Sequence, residues 1–156
     1  MNKFSKALQI ALNVHADQQD KGGQDYIKHC LVVYEKVKHH NNEELNCIAI
    51  LHDALEDCKE EDELKITNEI KELSLRVYSA VLYLTKLKDE SDDEYLEGIL
   101  CDRDAMIVKL ADLEHNSDIT RLKGLRTKDF ARLEKYCKMY TLIKENYTIM
   151  MERTYE

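Results

Sequence analysis

Apolar residues recur along the chain three and four positions apart, the spacing that lines one face of an α-helix. Phe4, Ala7, Leu8, Ala11 and Leu12 mark a first helix over about residues 3–19, stopped by Lys21-Gly22-Gly23. A second starts near Asp25, carries Ile27, Leu31, Tyr34 and Val37 on one side, and ends at Asn41-Asn42. Asn42 is placed to cap a third helix, whose first turn holds Glu43 and Glu44. In that helix Cys47-Ile48-Ala49-Ile50-Leu51 is apolar all round, which predicts a central, buried position. Two further helical stretches cover about residues 67–87, and a shorter one covers 92–100. Asp102 is expected to cap the next helix, whose segment 105–111 is again nearly all apolar. A last long helix spans about 128–151, with Phe130, Leu133, Cys137, Tyr140, Ile143, Tyr147 and Met150 on its core face. No alternating strand pattern, internal repeat or domain boundary stands out. The expectation is an all-α bundle forming one domain over residues 1–156, with the acidic segments 58–63 and 88–94 as its most mobile connections.

Composition sharpens this picture. Proline is absent and there are only 4 glycines among 156 residues, so helix breakers are scarce. Lys+Arg 23 against Asp+Glu 31 leaves a net charge of −8, which argues against a nucleic-acid or anionic-membrane binder. One small anionic ligand in a locally basic or metal-lined pocket remains compatible with that balance. No apolar run approaches the roughly 20 residues that span a bilayer, and Met1 to Leu12 lacks a signal-peptide core. Cys30, Cys47, Cys58, Cys101 and Cys137 are odd in number and widely spaced, four of them in apolar surroundings. They read as reduced thiols of a cytoplasmic protein rather than a disulfide scaffold.

Two of the most apolar helices run straight into ionisable clusters. One reads Ile48-Ala49-Ile50-Leu51-His52-Asp53-Ala54-Leu55-Glu56-Asp57, the other Val108-Lys109-Leu110-Ala111-Asp112-Leu113-Glu114-His115-Asn116. A buried carboxylate is costly unless it is paired or binds a metal. His52 and Asp53 sit about 100° apart around a helix, so both can reach one ion at its edge. With His29 and Asp112 they make a mixed nitrogen and oxygen set drawn from three helices, suited to a divalent first-row metal with open positions. Glu56 and Asp57 then lie one turn beyond, where they could orient or deprotonate water. Asn116, four residues after Asp112, shares its face. His39-His40 reads as solvated surface, His15 as a core histidine, and His115 as either a core packer or a neighbour of the ligands.

Four blocks in order carry a resemblance: His15-Ala16-x-Gln18-x-x-Lys21-x-Gly23-x-x-Tyr26-Ile27-x-His29, Leu51 to Asp57, Leu84-Thr85-Lys86-Leu87, and Val108 to Asp112 with His115-Asn116. Over nearly its whole length the chain resembles the HD-domain metal-dependent phosphohydrolases. More narrowly it resembles the (p)ppGpp hydrolase domain of the RelA/SpoT family in its stand-alone form, the small alarmone hydrolase. The resemblance implies an all-α HD-domain helical bundle and one Mn²⁺ held by His29, His52, Asp53 and Asp112. It implies a catalytic pair, Glu56 and Asp57, and substrate contacts from Lys21, Asn116, Arg132 and Tyr136. The implied reaction removes the 3′-pyrophosphate of a guanosine alarmone, and the length leaves no room for the synthetase or regulatory domains of longer relatives.

The chain also departs from the family pattern. Asp20 stands where the family usually has an Arg stacked on guanine, Gly22 where a Ser often follows the Lys, and Asp25 and Cys30 where Pro is usual. Leu113-Glu114 replaces the usual Arg-Leu or Lys-Leu. The metal and water-activating set is complete, whereas the base-reading set is altered; losing a cation over the base removes roughly 0.5–2 kcal/mol. An Arg restored at position 20 is therefore expected to tighten guanine-nucleotide binding. The alternatives are an HD phosphohydrolase acting on another nucleotide and a non-catalytic nucleotide-binding module.

Overall fold

The computed structural model describes residues 1–154, and every named element among them is helical. Helix α1 covers Lys3–Val14, α2 Ile27–Val37, α3 Glu43–Leu51, α4 Ala54–Asp57 and α5 Glu63–Leu73. Helix α6 covers Leu75–Leu84, α7 Asp92–Leu100, α8 Arg103–Asn116 and α9 Thr127–Arg153. Side-chain caps set several starts: Asn42 accepts from the Leu45 N–H, Asp102 from Ala105, and Ser91 and Glu94 close a capping box on α7.

Helix α3 lies at the centre, as its all-round apolarity demands, packed against α1, α2, α6 and α8. Ile48, Ile50 and Leu51 are fully buried, each stabilising the fold by roughly 1.5–3 kcal/mol relative to exposure. Helix α8 is the second central rod, buried from Asp104 to Val108 and again from Leu110 to Leu113, against α2, α3, α6, α7 and α9. No described helix is long and apolar enough to cross a membrane.

Several expected boundaries shift for identifiable reasons. Helix α1 ends at Val14 rather than near residue 19. His15 leaves the helical region, and an isolated bridge between Gln19 and Asp25 ties the following loop to itself. The helix expected to run from Asn42 through Asp57 breaks at His52-Asp53, where Asp53 has φ −103° and ψ 2°, so α4 starts afresh at Ala54. Parts of the acidic segments join helices: Glu60–Asp62 forms a 3₁₀ turn leading into α5, and Asp92 opens α7.

Helix α9 shows the largest difference. Tyr140, Ile143, Tyr147 and Met150 lie against the core as expected and Leu133 is half-buried, but Asp129, Arg132, Tyr136 and Met139 also turn inward, whereas Phe130 is 58% exposed and Cys137 is exposed. The first turns of α9 face a polar cavity rather than the core, so the polar residues turn inward and Phe130 turns out. Cys101 is exposed as well, so only Cys30 and Cys47 are the fully buried thiols expected.

Candidate metal centre

The ionisable ends of the two central helices meet the start of α2. His29 sits in the first turn of α2, His52 and Asp53 at the break after α3, and Asp112 in the last turns of α8. One ligand atom from each of these four residues lies within 4.8 Å of all the others. His52 Nε2 is 2.9 Å from Asp53 Oδ2, and His29 Nε2 is 3.1 Å from Asp112 Oδ1. The His29 and His52 Nε2 atoms are 3.2 Å apart, and the crossed contacts, His29 to Asp53 and His52 to Asp112, are both 3.7 Å. Ligands about 2.1 Å from one ion stand about 3.0 Å apart when cis and about 4.2 Å when trans. The cluster has the spacing of a coordination shell, and its chemistry fits a divalent cation.

The surroundings orient each of the four side chains. His52 Nδ1–H donates to the Ala49 carbonyl at 2.8 Å, which leaves Nε2 free to face the cluster. The His29 and His115 Nδ1 atoms are 2.7 Å apart, their rings stacked at 4.9 Å. The tautomers that satisfy this contact put the proton on His29 and the accepting lone pair on His115. Burial and the Arg121 charge push His115 down to about 4, keeping it neutral for that role. His115 thus supports His29 from outside the cluster. Tyr26 donates its hydroxyl to Asp53 Oδ2 at 2.5 Å. Asp112 Oδ1 accepts from Asn116 at 2.6 Å and Oδ2 from Lys109 at 2.8 Å.

The electrostatics follow from burial and pairing. Burial alone would raise the Asp53 and Asp112 carboxyls, but His52 holds the first, and Lys109 with both histidines the second, below the carboxylate range. Those carboxylates in turn draw His52 well above its ordinary value, although burial opposes its charge. Lys109 is likewise buried, yet raised by Asp112 and Tyr95.

A cavity of about 380 Å³ opens beside the cluster, lined by His29, Asp53 and Asp112. Lys21, Asn116, Arg132 and Tyr136, the four expected substrate contacts, all line it, as does Glu56. Burial raises the Glu56 carboxyl even though Oε2 accepts the Lys86 backbone N–H at 2.9 Å. Asp57 diverges from Glu56. It lines a neighbouring groove of about 510 Å³, and its Oδ2 accepts the Gln18 amide at 2.8 Å. Burial raises its carboxyl too, against that hydrogen bond. Gln18 lines both spaces, and its Oε1 is 2.6 Å from Nδ1 of the buried His15.

Asp20 does not offer a free carboxylate to the cavity. Its Oδ2 accepts from Arg121 at 2.6 Å and its Oδ1 from the Gly22 and Gln24 N–H groups at 2.8 and 2.9 Å. Gly22 is explained by the same contact: a Cβ there would stand 2.5 Å from the Arg121 carbonyl oxygen. An Arg at position 20, expected to add affinity, would face another guanidinium here. Gln18, Tyr26, Lys109 and Arg121 acquire contacts that sequence reasoning gave them no role for. Gln18, Tyr26 and Lys109 left a signal as positions of the matching blocks, Lys109 also as a cation three residues before Asp112 in an apolar run, whereas Arg121 left none.

The architecture is an all-α HD-domain bundle. No protein-family model and no curated protein sequence matches the chain. A solved structure described as a metazoan ortholog of SpoT that hydrolyzes ppGpp and plays a role in starvation responses shares the fold. Its TM-score is 0.72 over 99% of this chain and 96% of that one, at 19% identity.

Proposed function

We propose that the protein is a metal-dependent pyrophosphohydrolase that removes the 3′-pyrophosphate of (p)ppGpp, giving GDP or GTP and pyrophosphate. The observation that carries this reading is the convergence of His29, His52, Asp53 and Asp112 to within 4.8 Å beside a cavity lined by cationic groups. The solved structure with the same fold belongs to a protein described as hydrolysing ppGpp, which supports the substrate class. When bound, a divalent ion, taken as Mn²⁺, supplies Lewis-acid stabilisation of the phosphoryl group and acidifies water.

The chain's own groups do the rest. Glu56, raised by burial, accepts a proton from the attacking water and returns one to the leaving ribose 3′-oxygen. Asp57 aids that transfer from beside the Gln18 wall. Lys21, which forms no ion pair among the described residues, offsets the polyphosphate charge, with a smaller share from Arg132, which Asp129 already pairs at 2.6 Å, while Asn116 and Tyr136 position the nucleoside. Five free thiols support a reducing, cytoplasmic setting, and residues 1–156 act as one HD-type unit.

The test is pyrophosphate release from guanosine 3′,5′-bis(diphosphate) by metal-stripped protein, with and without Mn²⁺. Release that requires the ion is expected. Binding without turnover of any nucleotide would sink the enzyme reading. A second reading, hydrolysis of a different nucleotide by the same chemistry, is favoured by Asp20, whose carboxylate recasts one wall of the cavity. Turnover of another nucleotide but not of this one would establish it.

A further inference from the structure

One wall of the cavity is built by two loops from distant parts of the chain, residues 20–24 and the 3₁₀ turn Ile119–Arg121. Their junction is the ion pair between Asp20 Oδ2 and Arg121, 2.6 Å long across 101 positions of sequence. Arg121 is fixed at a second point, where its other terminal nitrogen donates to the His115 carbonyl at 2.8 Å. Its backbone is fixed at a third, because Gly22 admits its carbonyl more closely than any side-chain-bearing residue could. Asp20 in turn is held by the Gly22 and Gln24 N–H groups, so neither partner is free to swing.

A guanidinium held this way has lost most of its value as an anion clamp, since Asp20 balances its charge. Two of its three nitrogens are already engaged. What remains for a ligand is the flat face of the group and the Nε–H, on a side chain still 20% exposed and lining the cavity. Guanidinium is weakly hydrated and stacks on planar π systems, including bases, where an ammonium does not. Among the described residues the cation of the cavity without an ion pair is Lys21, whose pairing is left for phosphate. The cavity therefore divides into a charged part and a planar part.

We propose that Arg121, clamped by Asp20, is the platform on which this cavity holds a purine base, and so a determinant of which nucleotide it accepts. The proposal rests on the nucleotide reading of the cavity. Asp20 acts through Arg121 and is a positioning residue; it does not touch the ligand.

The test compares Arg121→Ala, Arg121→Lys and Asp20→Asn in pyrophosphate release from guanosine 3′,5′-bis(diphosphate). A lost stacking partner raises KM about 2- to 30-fold with little change in kcat. Lysine keeps the charge but lacks the plane, so Arg121→Lys should be as impaired as Arg121→Ala. Asp20→Asn keeps the acceptor for the loop N–H groups but releases Arg121, and should raise KM by a smaller factor. The second measurement uses the unmodified protein and GMP, following the Arg121 Nε–H resonance by ¹⁵N NMR. Ring current from a stacked base should shift it upfield. Turnover by the wild type with an unmoved Arg121 signal, or with Arg121→Lys equal to wild type, overturns the platform and leaves the hydrolase reading standing. A shifted signal without turnover of any nucleotide does the reverse.

Discussion

His29 and His52 turn their Nε2 atoms toward each other at 3.2 Å, with an Asp53 and an Asp112 oxygen beside them. Without a cation, this arrangement holds together only if a proton occupies it, and the two carboxylates keep that proton on His52 by raising its affinity well above the ordinary value. The sign for stability is that of a raised base. The contribution is complete below an unfolded value of about 6.5 and is lost as the pH climbs through the higher folded value.

A divalent ion competes with that proton. Mn²⁺ titration calorimetry at pH 7 in two buffers of different ionisation enthalpy should therefore show about one proton released per ion. Apparent affinity should rise with pH, by up to about tenfold per unit while His52 is still protonated in the metal-free protein. His52→Ala should lose both the ion and the proton signal. Ion binding with no proton release would mean that the cluster is not the site.

Asp20 and Arg121 lead to an outcome opposite to the one that residue-by-residue reading suggests. Asp20→Arg sets two guanidinium groups against each other and leaves the Gly22 and Gln24 N–H groups without their acceptor. Losing a charged acceptor in a part-buried position costs about 1–3 kcal/mol, so thermal unfolding should begin several degrees lower. Affinity for guanine nucleotides should fall as the wall loosens. Tighter binding would show that position 20 faces the base directly.

How much of this was legible depends on the range of the interaction. Helices α3 and α8 could be read as central because their apolar residues run all round, and the four-residue cluster could be read because His and Asp stand at their buried ends. Local caps such as Asn42 and Asp102 were equally visible. The break after His52 was not, because helical propensity runs on through Ala54 and Leu55 while the four-way convergence bends the backbone. Nor was the Asp20–Arg121 pair, whose partners are joined by tertiary structure alone. Phe130 was misplaced because periodicity assigns an apolar side inward, whereas the first turns of α9 border a polar cavity.

Asp102 offers a prediction about acid stability remote from the metal cluster. Burial would raise its carboxyl, but the Arg76 guanidinium at 2.6 Å and the Ala105 N–H hold it below the ordinary value. A depressed carboxyl contributes stability above its unfolded value of about 3.9 and loses it as the pH falls through the lower folded one. Asp102→Asn keeps the N-cap of α8 but removes the charge. Its urea midpoint should lie below that of the wild type at pH 7 and approach it near pH 2–3. A constant gap across that range would show that the charge of the Arg76 pair does not carry the effect.

Glu56 and Asp57 are neighbours in sequence but face different spaces, and this separates their expected roles. Glu56 lines the cavity with Asp53 and Asp112, anchored by the Lys86 N–H, whereas Asp57 reaches the neighbouring groove and leans on Gln18. On the proposed chemistry, Glu56→Gln should lower kcat by about 10²–10⁴ at little cost in metal binding. Asp57→Asn should cost less, and Gln18→Ala should reproduce part of that loss, since Gln18 holds Asp57 and is itself held by buried His15. The double variant Glu56→Gln with Asp57→Asn should retain Mn²⁺ and lose turnover. If Asp57→Asn proves the more damaging single change, the proton passes through the Gln18 side of the site and the two carboxylates exchange roles.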